Sequence, residues 1–127
     1  MRRSAFSILE VMVVAIVLAI LSTVAISYYQ QAYQNTVFGQ GEDIVELITS
    51  AQRSYRFEAG SYTTCANADD CSTKLHLDVP VGDWSYAVTT SGTSVVITAT
   101  YTGARSDVNS CSRTLNADGT RTSVSCN

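Results

Sequence analysis

The chain has 127 residues, enough for one domain of ordinary size, and Lys+Arg 8 against Asp+Glu 11 leave a net charge of −3. The basic residues are scattered, so no patch could neutralise a run of phosphates, and nucleic-acid binding is not expected. A single histidine, no metal-ligand spacing and no Gly-rich phosphate loop argue against an enzyme, and no cofactor or metal is expected.

The chain starts with a short basic leader, Met1–Ala5, carrying Arg2 and Arg3. An apolar run follows from Phe6 to Ile26. Val11 to Ile26 is free of charge, with Ser22 and Thr23 its only polar side chains. About 21 residues at 1.5 Å each make roughly 32 Å of helix, which matches a hydrocarbon core of about 30 Å. The run is too long for the usual cleaved secretory signal and continues without a break into SYYQQAYQN. It therefore reads as a membrane span, and the arginines favour a cytoplasmic N-terminus. Glu10 stands out, because a carboxylate at the bilayer centre costs about 2.5–3.5 kcal/mol on insertion scales and such groups are functional by default.

Tyr28, Tyr29 and Tyr33 suit a membrane–water boundary and subunit packing. The helical pattern then becomes one-faced. Ile44, Leu47, Ile48, Ala51 and Tyr55 form an apolar stripe, while Glu42, Asp43, Glu46, Ser50, Arg53 and Arg56 fall mostly off it. Gly60 supplies a stop. No proline interrupts Phe6 to Gly60, although Gly39 and Gly41 mark where a bend or break would fall. Residues 61–83 read as a long connecting loop, with His76 on its surface.

Two hairpins complete the chain. Trp84–Thr90 and Val95–Tyr101 are β-branched and aromatic and flank a turn at Ser91–Ser94. Trp84, Tyr86 and Tyr101 are expected to form the core beneath the helix. In the second hairpin, Asp118-Gly119 predicts a type I′ turn. Folding about it sets Ala117 against Thr120, Leu115 against Thr122, Arg113 against Val124 and Cys111 against Cys126. The two cysteines would then be about 5.5 Å apart at Cα, within disulfide range. Cys65 and Cys71 remain as the other pair, although four cysteines allow three connectivities. Disulfides formed outside the cytoplasm fit these spacings better than a zinc site. Asp107, Asn109 and Asp118 could offer oxygens to a cation but lack the regular spacing of a binding loop.

The expected fold is α+β, a long N-terminal helix packed on a roughly four-stranded antiparallel sheet. Its segments are a leader (1–5), an apolar half-helix (6–30), an amphipathic half-helix (31–60), a connecting loop (61–83) and a disulfide-bonded sheet (84–127).

The stretch FSILEVMVVAIVLAILSTVAISYYQQ resembles the N-terminal segment of type IV pilins and of type II secretion pseudopilins. The likeness rests on a short basic leader, a Phe, a Glu four residues later, and an apolar helix. It is specific over about the first 30 residues and architectural beyond them. The resemblance implies cleavage by a prepilin peptidase between Ala5 and Phe6, N-methylation of Phe6, and helical stacking of like subunits into a filament. The inner-membrane assembly machinery would be a further partner. It also implies that Glu10 faces the N-terminal amine of a neighbouring subunit. The precursor would sit in the inner membrane and the mature subunit in an extracellular pilus. Ala5 stands where the family usually has Gly. Ala19 and Ser27 stand where it often has a helix-loosening Gly and Pro, which predicts a more continuous helix. The C-terminal cysteine pair favours a pilin over a pseudopilin. A membrane-anchored binding domain that never polymerises is the alternative from a different class.

Overall fold

The computed structural model describes residues 6–78, 82–105 and 107–127. The first helix, α1, runs from Ile8 to Ala59. The chain divides into two compact units, one ending at Asn35 and one spanning Thr36–Asn127. In the first unit, Phe6 to Tyr33 are all exposed. Its polar hydroxyls bond back onto the helix itself: Ser22 to the Leu18 carbonyl (2.7 Å), Thr23 to Ile20 (2.7 Å) and Ser27 to Thr23 (3.4 Å). No hydroxyl of that trio therefore depends on water for a partner.

In the second unit, α1 packs on an antiparallel sheet of order β1-β2-β3-β4, with β1 Trp84–Ser91, β2 Ser94–Tyr101, β3 Ser110–Leu115 and β4 Ser125–Cys126. The α+β expectation is borne out, and the arrangement is pilin-like. Alternation places Trp84, Tyr86 and Val88 of β1, Val95, Ile97 and Ala99 of β2, and Cys111 and Leu115 of β3 on the buried face. Tyr101 is partly buried and meets Trp84 edge-on, with ring centroids 5.3 Å apart. The β1–β2 hairpin closes Ser91 on Ser94. Gly92 supplies the positive φ (64°) that the first loop residue of a type II′ turn requires.

The structure corrects several expectations. Continuity of the helix, as expected from Ala19 and Ser27, holds through Gly39 and Gly41, and the correction concerns its buried face. That face is Val37, Gly41, Ile44, Val45, Ile48, Thr49 and Gln52, whereas Leu47 is 40% exposed and Ala51 and Tyr55 are half-buried. Gly41 lies on this buried face and is where the sheet approaches too closely for a side chain. A Cβ there would lie 2.6 Å from Trp84 and 2.7 Å from the Cys111 sulfur. Polar Thr49 and Gln52 are buried at no hydrogen-bonding loss. Thr49 donates to the Val45 carbonyl (2.6 Å). Gln52 donates to the Thr63 carbonyl (2.8 Å) and accepts from the Thr63 N–H (3.1 Å). A stripe assembled from apolar residues alone misses both.

The connection 61–83 is not a plain loop, for it contains α2, Ala68–Leu75. Asn67 caps it by accepting from the Asp70 N–H (2.9 Å), and Cys71 and Leu75, four apart, are its buried residues. His76 ends it in the left-handed conformation (φ 53°) and is exposed. Eight residues are too few for periodicity to reveal the helix. Gly60 ends α1 with φ 78°, and its N–H bonds the Arg56 carbonyl (2.9 Å), as expected of a helix stop.

The C-terminal turn also differs. A type I′ turn needs positive φ at both central residues, yet only Gly119 (φ 89°) has it there. The Gly119 N–H bonds the Asn116 carbonyl (3.0 Å) and the Asn116 N–H the Thr120 carbonyl (2.9 Å), which makes a three-residue loop. Leu115 consequently faces Arg121, not Thr122. The return strand then takes four steps from 121 to 125 where β3 takes three from 115 to 112, so it bulges and restores the expected Cys111–Cys126 register. The hydrogen-bonded pair is Ser110 with Asn127. The cysteines thus occupy a non-hydrogen-bonded position, where strands approach more closely, and their Cα atoms are 4.0 Å apart rather than about 5.5 Å.

Candidate functional site

The candidate assembly site is the start of α1. Glu10 lies in the first turn, where the unpaired N–H groups favour a negative charge. The Val11 N–H bonds the Ser7 carbonyl (3.2 Å), so helical bonding begins immediately after Phe6. Phe6 is 76% exposed, and Glu10 is exposed four residues on. No ion pair to Glu10 occurs among the described residues. Ala5, and with it the Ala5–Phe6 bond, lies outside the described residues. From Val11 to Leu21 the surface is apolar on every side, and α1 contains a stretch long and apolar enough to cross a membrane. Tyr28, Tyr29 and Tyr33 follow, all exposed, and the Tyr29 and Tyr33 rings stack at 6.4 Å.

The Thr36–Asn127 unit carries polar ties between α1 and the sheet that sequence reasoning did not anticipate. Glu46 accepts from Arg113 and from Arg121 (2.8 Å). The Arg113 side chain is only 9% exposed, because β3 alternation sets it between Cys111 and Leu115 on the buried face. Its Nε has no hydrogen-bond partner among the described residues. The hydrogen bond from Arg113, reinforced by the charges of both arginines and opposed by partial burial, lowers the Glu46 pKa. Part of the signal was available, because Arg113 shares a strand face with Cys111 and Leu115.

A second tie secures the end of α1. Arg56 donates to the Tyr62 hydroxyl (3.0 Å) and to the Ala117 carbonyl, and its guanidinium lies 5.0 Å from the Tyr62 ring centre. The Tyr62 hydroxyl donates to the Asn116 carbonyl (3.1 Å). The hairpin tip is thereby held to the helix.

The four cysteines form Cys65–Cys71 and Cys111–Cys126. Cys65 also pairs with Val88 at the outer edge of β1 through two backbone hydrogen bonds (3.1 and 2.8 Å). Asp107 and Asp118, considered as cation ligands, are held by other groups. Asp107 pairs with Arg105, and Asp118 accepts from the Thr120 N–H (2.8 Å) and hydroxyl (2.7 Å). No family model, curated protein or solved structure matches the chain.

Proposed function

We propose that the chain is a structural subunit of a type IV pilus-like filament, assembled through α1 after removal of Met1–Ala5. The observation that carries this reading is the segment Ile8–Ile26, an unbroken helix with its apolar side chains exposed and one carboxylate in its first turn. A helix apolar all round needs lipid, protein or copies of itself around it. Glu10 supports the last. In a plain anchor its charge is costly. In a bundle of copies it can meet the amine that cleavage creates on Phe6, and the two charges then offset each other's desolvation.

On this reading the precursor is a single-pass inner-membrane protein with a cytoplasmic N-terminus. Prepilin peptidase cuts after Ala5 and Phe6 is methylated. The assembly machinery then extracts the subunit into a filament outside the cell. Two disulfides suit a unit that folds outside the cytoplasm.

The test is a mass spectrum of the N-terminal peptide from the sheared cell-surface fraction. A peptide beginning at methylated Phe6 is expected. A Met1 peptide confined to membranes would overturn the reading and leave an anchored extracytoplasmic domain. A methylated Phe6 peptide absent from the sheared fraction would point instead to a short secretion pseudopilus.

A further inference from the structure

Two features of the Thr36–Asn127 unit have no role within it. The first is a projection on α1. Phe57 is 88% exposed, far more than any other large apolar side chain of that unit among the described residues. Arg53, one turn earlier and on the same side of the helix, is exposed and makes no ion pair or hydrogen bond among them. The second feature is a groove of about 480 Å³ between α1 and the start of β1, lined by Gln40, Asp43, Ile44, Gly82, Asp83 and Trp84. Ile44 and Trp84 give it an apolar floor. Asp43 and Asp83 are exposed and have no cation opposite them among the described residues.

The two features are complementary: Phe57 and Arg53 border a cleft in which Arg53 and Arg56 outnumber the one carboxylate, Asp118, while the groove at Trp84 is apolar and negative. We infer that Phe57 and Arg53 of one copy of this chain dock in the groove of the next, with the Phe57 ring over Ile44 and Trp84 and the Arg53 guanidinium between Asp43 and Asp83. The arrangement on α1 favours a second copy. Phe57 is about 20 Å along the helix from Ile44 at 1.5 Å per residue, and roughly 140° around it at 3.6 residues per turn. Projection and groove are therefore different patches that open to different sides, so their contact is heterologous and repeats head to tail without using itself up. Parallel copies displaced along their helix axes bring projection to groove, and in this respect the inference rests on the filament reading. Burying Phe57 removes its apolar surface from water, and the charges fix which patch it enters.

The experiment is disulfide trapping in cells making the full chain with Gln40→Cys and Ser54→Cys together, two exposed positions on opposite sides of the contact that leave Phe57 and Arg53 in place. After mild oxidation, a non-reducing gel is expected to show a ladder extending beyond dimer, whereas each single variant stays monomeric. Arg53→Asp in the double-cysteine background should reduce the ladder at least tenfold, and adding Asp43→Arg with Asp83→Arg should restore it. Surface filaments without a ladder, dimers from a single variant, or no restoration by charge exchange would overturn the contact and leave the filament reading standing. A ladder in membranes without surface filaments would support the contact and overturn the filament reading. Neither ladder nor filaments would overturn both.

Discussion

Within α1, Ile8 to Tyr33 and Val37 to Gln52 are equally helical and differently satisfied. In the first stretch every side chain is exposed, and its hydroxyls close onto the helix's own carbonyls. In the second, Val45, Ile48, Thr49 and Gln52 are fully buried, and each polar one has found a partner. The first stretch has a surface but no tertiary structure of its own, so its energetics are decided by what surrounds it. The second is fixed by packing, where a single methylene is felt. Substitutions should therefore separate cleanly into those that melt the Thr36–Asn127 unit and those that leave it intact.

The largest effect on that unit should come from opening its sheet staple. Replacing Cys111 and Cys126 by Ser removes a bridge across a sequence separation of 15, worth about 3 kcal/mol in the chain-entropy model. Thermal unfolding followed by circular dichroism should show the loss. An unchanged melting temperature would mean that the bulged return strand needs no covalent tie.

Gly41→Ala should cost about 2 kcal/mol through overpacking, because the added Cβ meets Trp84 and the Cys111 sulfur at 2.6–2.7 Å. Gly39→Ala is its counterpart. Nothing lies within 4 Å of a Cβ there, so a gain of up to about 1 kcal/mol from helix propensity is expected. Equal responses from the two glycines would refute the assigned buried face.

A smaller effect is expected from Glu46→Gln, under about 1 kcal/mol, since the Glu46 side chain is 48% exposed and solvent screens it. Its pH dependence has a definite sign. The folded pKa lies below the ordinary glutamate value, so the contribution is complete above the unfolded pKa and lost as pH falls through the folded one. Asp70, held by Lys74 and the Ala66 N–H, and Asp118, held by Thr120, are lowered as well and act in the same direction. Stability should be flat near neutrality and decline in acid, and Glu46→Gln should make that decline shallower.

The smallest effect on the folded unit belongs to Glu10→Ala. Its melting should change by less than about 0.5 kcal/mol, as for a substitution that touches no tertiary contact, while surface filaments disappear. Wild-type amounts of filament from this variant would remove the role proposed for Glu10.

Much of the molecule was legible in the sequence because its signals are local. The apolar run, the Gly60 stop, the alternation in Trp84–Tyr101 and the facing of Cys111 by Cys126 each follow from spacing within one or two elements. Glu10 stood out for the same reason, as a lone acid in an apolar run, whereas Phe6 entered only through the resemblance to prepilin N-termini. Helix α2 escaped because a single buried pair, Cys71 and Leu75, makes no period. The turn at Gly119 was placed correctly but given the wrong geometry, since Asp-Gly is compatible with two loop lengths.

What only the tertiary structure decided was which face of α1 the sheet covers, and so which polar residues become structural. Spacing pointed to Leu47, Ala51 and Tyr55. The packed helix instead buries Gly41 and Gln52, with Glu46 meeting Arg113 and Arg121 and Arg56 meeting the hairpin tip. The reason is physical. Helical periodicity defines a stripe to within about one residue's rotation, or 100°. The choice within that range is made by the shape of the opposing surface, and that surface forms only when residues some 70 positions away in the chain are already in place.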